Sequence, residues 1–215
     1  GGSGNDSYDI RSGLDVIDDT GGRDAIVTAA SVSLAGYAGM EDIVLLRFLP
    51  GSASVTLTGD SGDNRITGDD GRSLLDGGAG RDTLAGGAGA DTYIVRDTAD
   101  VVTERKTGGH DAIRSFTDIS LSRYANVEQV ELAGSANLSA TGSSGDNILF
   151  GNSGRNAILG GAGGDLIGGL GGRDTLNGGS GNDTYQLTDS TADVIIDASG
   201  SDTAQGYLSV KLASS

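Results

Sequence analysis

Along two stretches of the chain a single large apolar residue returns every nine positions. From Gly59 to Ile94 these residues are Ile66, Leu75, Leu84 and Tyr93. From Gly142 to Gln186 they are Leu149, Ile158, Ile167, Leu176 and Tyr185. Glycine and short polar residues fill the positions between. Strand side chains alternate in direction, so each short segment around such a residue reads as a strand that turns that one side chain inward. Elsewhere the apolar residues fall in short runs rich in Val, Ile and Thr and punctuated by glycine, such as Met40–Leu46 and Val127–Ala133, which also predict strands. Apolar spacing of helical period is not sustained over several turns anywhere.

The nine-residue spacing belongs to a repeated text, GGxGxDxUx, with the apolar residue at U. The hexapeptide GGxGxD is complete at Gly1–Asp6, Gly77–Asp82, Gly86–Asp91, Gly160–Asp165 and Gly178–Asp183, and lacks one glycine at Gly169–Asp174. Each array ends with tyrosine at U: Tyr8, Tyr93 and Tyr185. A longer repeat encloses the arrays. DVIDDTGGRDAI from Asp15, DVVTERKTGGHDAI from Asp100 and DVIIDASGSDTA from Asp193 restart the same text after each tyrosine. The first copy carries the extra residues Arg47–Pro50. The chain opens inside a repeat and stops inside a third copy, so a longer repetitive protein is expected around it.

These readings divide the chain. Residues 1–9 are the end of a preceding array, 10–58 a β-rich spacer, and 59–94 the first β-roll array. Residues 95–141 are a second spacer, 142–186 the second array and 187–215 a truncated spacer. The predicted fold class is all-β: a parallel β-roll, or β-solenoid, with two nonapeptide arrays joined by β-rich spacers. Two nonapeptides make one coil of eighteen residues with U side chains between two thin sheets.

Composition changes the picture in one respect. Glycine makes up 39 of 215 residues, well above the usual ~7%, and its periodicity argues against a disordered linker. Acidic residues outnumber basic ones 30 to 14, for a net charge of −16. Such a chain repels nucleic acid and anionic membranes. The longest apolar run, around Ile43–Leu46, is a strand's length rather than a membrane span. With no cysteine, disulfide frameworks and thiolate metal sites are excluded.

The acidic excess has a partner in the loop geometry. Stacked coils place loops two nonapeptides apart next to one another, with backbone carbonyls and Asp carboxylates walling the space between. Calcium takes six to eight such oxygens at about 2.3–2.6 Å, whereas magnesium holds its waters. Without a cation, stacked carboxylates a few ångström apart would disfavour their charged state.

The chain resembles the RTX (repeats-in-toxin, hemolysin-type calcium-binding) family, through both arrays and Gly1–Asp9. The resemblance implies calcium as the bound ion and export by a type I secretion system from a bacterial cell, with folding outside it. It also implies a ligand set. The sixth-position ligands fall on Asp82, Asp91, Asp165, Asp174 and Asp183, with Asn64, Asn147 and Asn156 in opening loops and Ser73 as the clearest departure. Carbonyl ligands fall around Gly78, Gly80, Gly87, Gly89, Gly161, Gly163, Gly172, Gly179 and Gly181. Pairing loops two apart yields Asn64/Asp82, Ser73/Asp91, Asn147/Asp165, Asn156/Asp174 and Asp165/Asp183.

No catalytic pattern is present. HExxH, a Walker loop and GxGxxG are absent, GDSGD at Gly59 lacks the closing glycine of GxSxG, and the sole histidine, His110, reads as a turn residue. A non-enzymatic, monomeric structural or folding module of a larger secreted protein is expected. The alternative is a calcium-dependent polysaccharide-binding or adhesin module, against which stand the few aromatics, 4% of the chain, with three of the six tyrosines at U.

Overall fold

The computed structural model describes residues 1–10, 15–46, 54–188, 193–196 and 199–206, and the backbone of 211–212. The Arg47–Pro50 insertion lies outside the described residues. The chain divides into two compact units, 1–111 and 112–215.

In the first unit one parallel sheet runs in the order β1 (Ser7–Ile10), β2 (Ala25–Thr28), β4 (Asp42–Leu45), β6 (Arg65–Thr67), β8 (Thr83–Ala85) and β10 (Val101–Thr103). A second holds β3 (Val32–Ser33), β5 (Val55–Thr58), β7 (Ser73–Asp76) and β9 (Thr92–Val95) in sequence order. The second unit repeats the plan. One sheet is β11 (Ala112–Ser115), β13 (Gln129–Leu132), β15 (Ile148–Phe150), β17 (Leu166–Gly168), β19 (Thr184–Leu187) and β21 (Thr203–Gly206). The other is β12 (Ile119–Ser120), β14 (Ser139–Thr141), β16 (Ala157–Ala162), β18 (Thr175–Ser180), β20 (Val194–Ile195) and β22 (Lys211–Leu212). The fold is an all-β parallel solenoid. Its only helical elements among the described residues are the 3-10 turns Leu34–Gly36 and Leu121–Arg123, and no helix is long and apolar enough to cross a membrane.

The nine-residue text explains the register. Within the arrays a residue pairs with the one two nonapeptides on: Ile66 with Leu84, Leu75 with Tyr93, Leu149 with Ile167, Ile158 with Leu176 and Ile167 with Tyr185. U residues therefore stack on U residues, and all of those in both arrays are buried. Each such side chain contributes about 1.5–3 kcal/mol when fully buried. Flanking strands carry on the same ladders. Ile43 pairs with Ile66, and Val130 with Leu149, so each array's sheet begins on a spacer strand.

The coils approach closely because the loops are nearly bare. Gly78 (φ +94°) and Gly161 (φ +114°) occupy the left-handed region, and a Cβ at either would overlap the carbonyl of Asp60 or Ser143 in the preceding coil. Any other residue would force the loops apart.

Candidate metal centre

The sixth residue of each loop in the two arrays lies where the turn enters its strand, and all of these are buried. Their backbone amides donate to a carboxylate of the next coil. Asn64 donates to Asp82 Oδ1 (2.9 Å), Ser73 to Asp91 (2.7 Å), Asn147 to Asp165 (2.8 Å), Asn156 to Asp174 (2.7 Å) and Asp165 to Asp183 (2.8 Å). All the pairs expected from the repeat spacing are thus side by side.

Each of these aspartates has a second oxygen. Oδ2 of Asp82, Asp91, Asp165 and Asp183 is buried and accepts no hydrogen bond, and neither does the buried Ser73 hydroxyl. A buried carboxylate oxygen without a partner is costly; a cation between the loops removes that cost. The donor set fits a hard cation, since the aspartate, asparagine and serine side chains and the glycine carbonyls all offer oxygen.

Glycine holds the cradle open. A Cβ on Gly77, Gly86, Gly160, Gly169 or Gly178 would overlap Oδ2 of the aspartate in its own loop. Beside Gly160, Asp165 Oδ2 and the Gly178 carbonyl converge; beside Gly142, Asn147 Oδ1 and the Gly160 carbonyl do so. The carbonyl glycines expected from the sequence, Gly78, Gly80, Gly87, Gly89, Gly161, Gly163, Gly172, Gly179 and Gly181, all take positive φ, from +94° to +133°. The Gly161 carbonyl lies against Gly179 and that of Gly163 against Gly181. First-position carbonyls such as Gly160 and Gly178, which the structure turns toward the side-chain oxygens, were not in that set.

The asparagines of the opening loops do more than offer an oxygen. Asn64 Oδ1 accepts from the Asp60 amide (2.8 Å), while Nδ2 donates to the Glu41 carbonyl in the preceding spacer coil (3.2 Å). Asn156 likewise accepts from the Asn152 amide (2.8 Å) and donates to the Leu138 carbonyl (3.3 Å). A carboxylate could not donate there.

The terminal tyrosines have a matching task. Within the first array the leading glycine amides of Gly59 and Gly68 bond carbonyls of the next coil, Asp76 (2.8 Å) and Ala85 (2.7 Å). At the array ends the Gly86 and Gly178 amides donate instead to the hydroxyls of Tyr93 (2.7 Å) and Tyr185 (2.6 Å).

Sequence reasoning missed the acidic residues that prolong the ladder into the spacers. Asp82 donates its amide to Asp100 (3.1 Å), Asp91 to Asp111 (2.8 Å), Asp174 to Asp193 (3.0 Å), Asp183 to Asp202 (2.8 Å), and Asp6 to Asp24 (2.7 Å). A signal was present: each acceptor stands 18 to 20 residues after its donor, one coil on. His110 is exposed in a bend beside Asp111.

Burial dominates the electrostatics of the column. Desolvation pushes Asp82 up to about 6, with Asp100 adding to it. It pushes Asp91 up to about 7, with Glu104 and Asp111 adding. Asp165 rises to about 6 by desolvation and the neighbouring Asp183. Loop amides donating to these carboxylates act in the opposite direction.

A family model described as the RTX calcium-binding nonapeptide repeat (4 copies) matches residues 58–93, 139–167 and 150–185. No curated protein and no solved structure matches the chain. The matched segments hold the loops whose sixth residues pair coil on coil. Both arrays thus carry RTX calcium-binding nonapeptide repeats, and these support a calcium-binding structural module.

Proposed function

We propose that the chain is a folding module of a larger secreted protein, ordered by calcium outside the bacterial cell after export by a type I system. The observation that carries this reading is the column of buried carboxylate oxygens without hydrogen-bond partners at Asp82, Asp91, Asp165 and Asp183. The sequence-derived pairs, from Asn64/Asp82 to Asp165/Asp183, are its sites, with glycine carbonyls completing the oxygen shell. Because each site spans two coils, it forms only when the coils stack, and binding energy becomes folding energy. In low cytosolic calcium the net charge of −16 favours an extended chain; outside the cell each calcium ion cancels two of those charges. The role is structural and non-catalytic. The tyrosines a sugar would stack on are buried, Tyr93 at 0% and Tyr185 at 2% exposure, which favours a spacer over a polysaccharide-binding module.

The test is far-UV circular dichroism during a calcium titration of chelator-treated protein. A steep gain of β signal is expected, with a midpoint near the ~10⁻⁴–10⁻³ M range of extracellular modules. A full β spectrum in excess chelator would overturn the reading.

A further inference from the structure

The ends of the arrays present a chemistry that the nonapeptides lack. Asp91, Glu104 and Asp111 each place a carboxylate oxygen within 4.8 Å of the others, and all three residues are buried. Only Asp91 belongs to an array; Glu104 and Asp111 come from the spacer, outside the matched segments. Asp6, Asp19 and Asp24 form a second cluster of the same dimensions, after the nonapeptide Gly1–Asp9.

Both clusters are built alike. The loop aspartate donates its amide across the coil to the second spacer acid, Asp91 to Asp111 and Asp6 to Asp24. The terminal tyrosine hydroxyl donates to the first spacer acid, Tyr93 to Glu104 and Tyr8 to Asp19. That bond aims the acid's side chain at the cluster. Glycine again clears the space: a Cβ on Gly108 would lie 2.7 Å from Glu104 Oε2 and 3.3 Å from Asp111 Oδ2.

The decisive atoms are Asp91 Oδ2 and Asp24 Oδ2. Each is buried and accepts no hydrogen bond, in residues 1% and 0% exposed. Three carboxylates gathered around such an atom repel one another unless a cation lies among them. We propose that each of these array ends is closed by a further divalent-cation site, Asp91/Glu104/Asp111 and Asp6/Asp19/Asp24, with calcium as the ion. Beyond the last nonapeptide no further GGxGxD loop supplies carbonyls, and the spacer acid takes their place. This rests on the calcium reading of the arrays but requires ligands that the repeat does not contain. With three charges against the carbonyl-rich array sites, the junction sites should fill at lower calcium.

The experiment counts bound calcium per chain by equilibrium dialysis, at saturating calcium, in the unaltered chain, Glu104→Gln, Asp19→Asn and the double variant. Both substitutions retain an oxygen to accept the tyrosine hydroxyl. Each single variant is expected to lose one ion and the double variant two, starting with the tightest class, while circular dichroism in saturating calcium stays unchanged. An unchanged count in both single variants overturns the proposal. An unaltered chain that binds no calcium at all defeats the array reading instead. Should a variant fail to fold, the anomalous difference map of calcium-grown crystals of the unaltered chain decides. A peak about 2.3–2.6 Å from the three carboxylates at both junctions supports the proposal, and its absence refutes it.

Discussion

Every loop aspartate in the stack divides its two carboxylate oxygens between two tasks. One accepts an amide from the preceding coil, as Asp165 does from Asn147 at 2.8 Å; the other faces the space between loops. This division sets the response to pH. Asp82, Asp91 and Asp165 sit at about 6, 7 and 6 in the metal-free fold, above the ~3.9 of an unfolded aspartate. Between roughly pH 4 and 7 the folded chain therefore binds more protons than the unfolded one. The stability these groups contribute is complete below about pH 4 and lost as the pH rises through 6 to 7. In excess chelator, acidifying from pH 8 to 5 should increase β structure by circular dichroism. Calcium reverses the sign, since a protonated carboxylate is a poor ligand: its midpoint should move to higher concentration as the pH falls from 8 to 6. A midpoint independent of pH would show that these carboxylates are not the ligands. Asp165 joins Asn147 on one side and Asp183 on the other, so Asp165→Ala should remove up to two ions from the count obtained by equilibrium dialysis.

Each array begins and ends on a side chain that closes its hydrogen bonding. At the start Asn64 and Asn156 supply a donor to a spacer carbonyl. At the end Tyr93 and Tyr185 accept the glycine amide that has no next-coil carbonyl. Removing such a hydroxyl leaves a buried amide unpaired. Tyr185→Phe is expected to lower stability by about 1–3 kcal/mol in urea denaturation at saturating calcium, with little change in calcium stoichiometry. The strands themselves depend on their single inward residue. Ile167 stacks between Leu149 and Tyr185 and is fully buried. Ile167→Ala should cost about 2–5 kcal/mol in the same measurement. A loss well under 1 kcal/mol would mean that the U ladder contributes little to the fold.

Across the whole molecule, a thin core meets a high charge. With one inward residue per nonapeptide, burial offsets little of the entropy of ordering so many glycines, and the net charge of −16 opposes compaction. Screening alone does not supply ligands. Raising monovalent salt in chelator is therefore expected to leave the chain largely unfolded by circular dichroism, and magnesium at the calcium midpoint should substitute poorly. Equal folding by magnesium would point to charge neutralisation rather than to oxygen cages sized for calcium.

The repeat text was enough to predict the parallel solenoid, the eighteen-residue coil, the inward residues from Ile66 to Tyr185 and the pairing of loops two apart. Those features follow from local periodicity: when the same nine residues recur, each coil can only stack on its own copy, and the register is written in the spacing. The spacer acids were not legible in the same way. Asp100, Asp111, Asp193 and Asp202 stand in text that breaks the nine-residue rhythm, so only their distance of 18 to 20 residues from a loop aspartate marks them as members of the column. Nor did spacing reveal that Tyr93 would meet Glu104, or that Asn64 would donate to Glu41. Such contacts depend on how an irregular spacer lays its coil onto a regular one, and that placement is decided by three-dimensional packing between residues far apart in the chain.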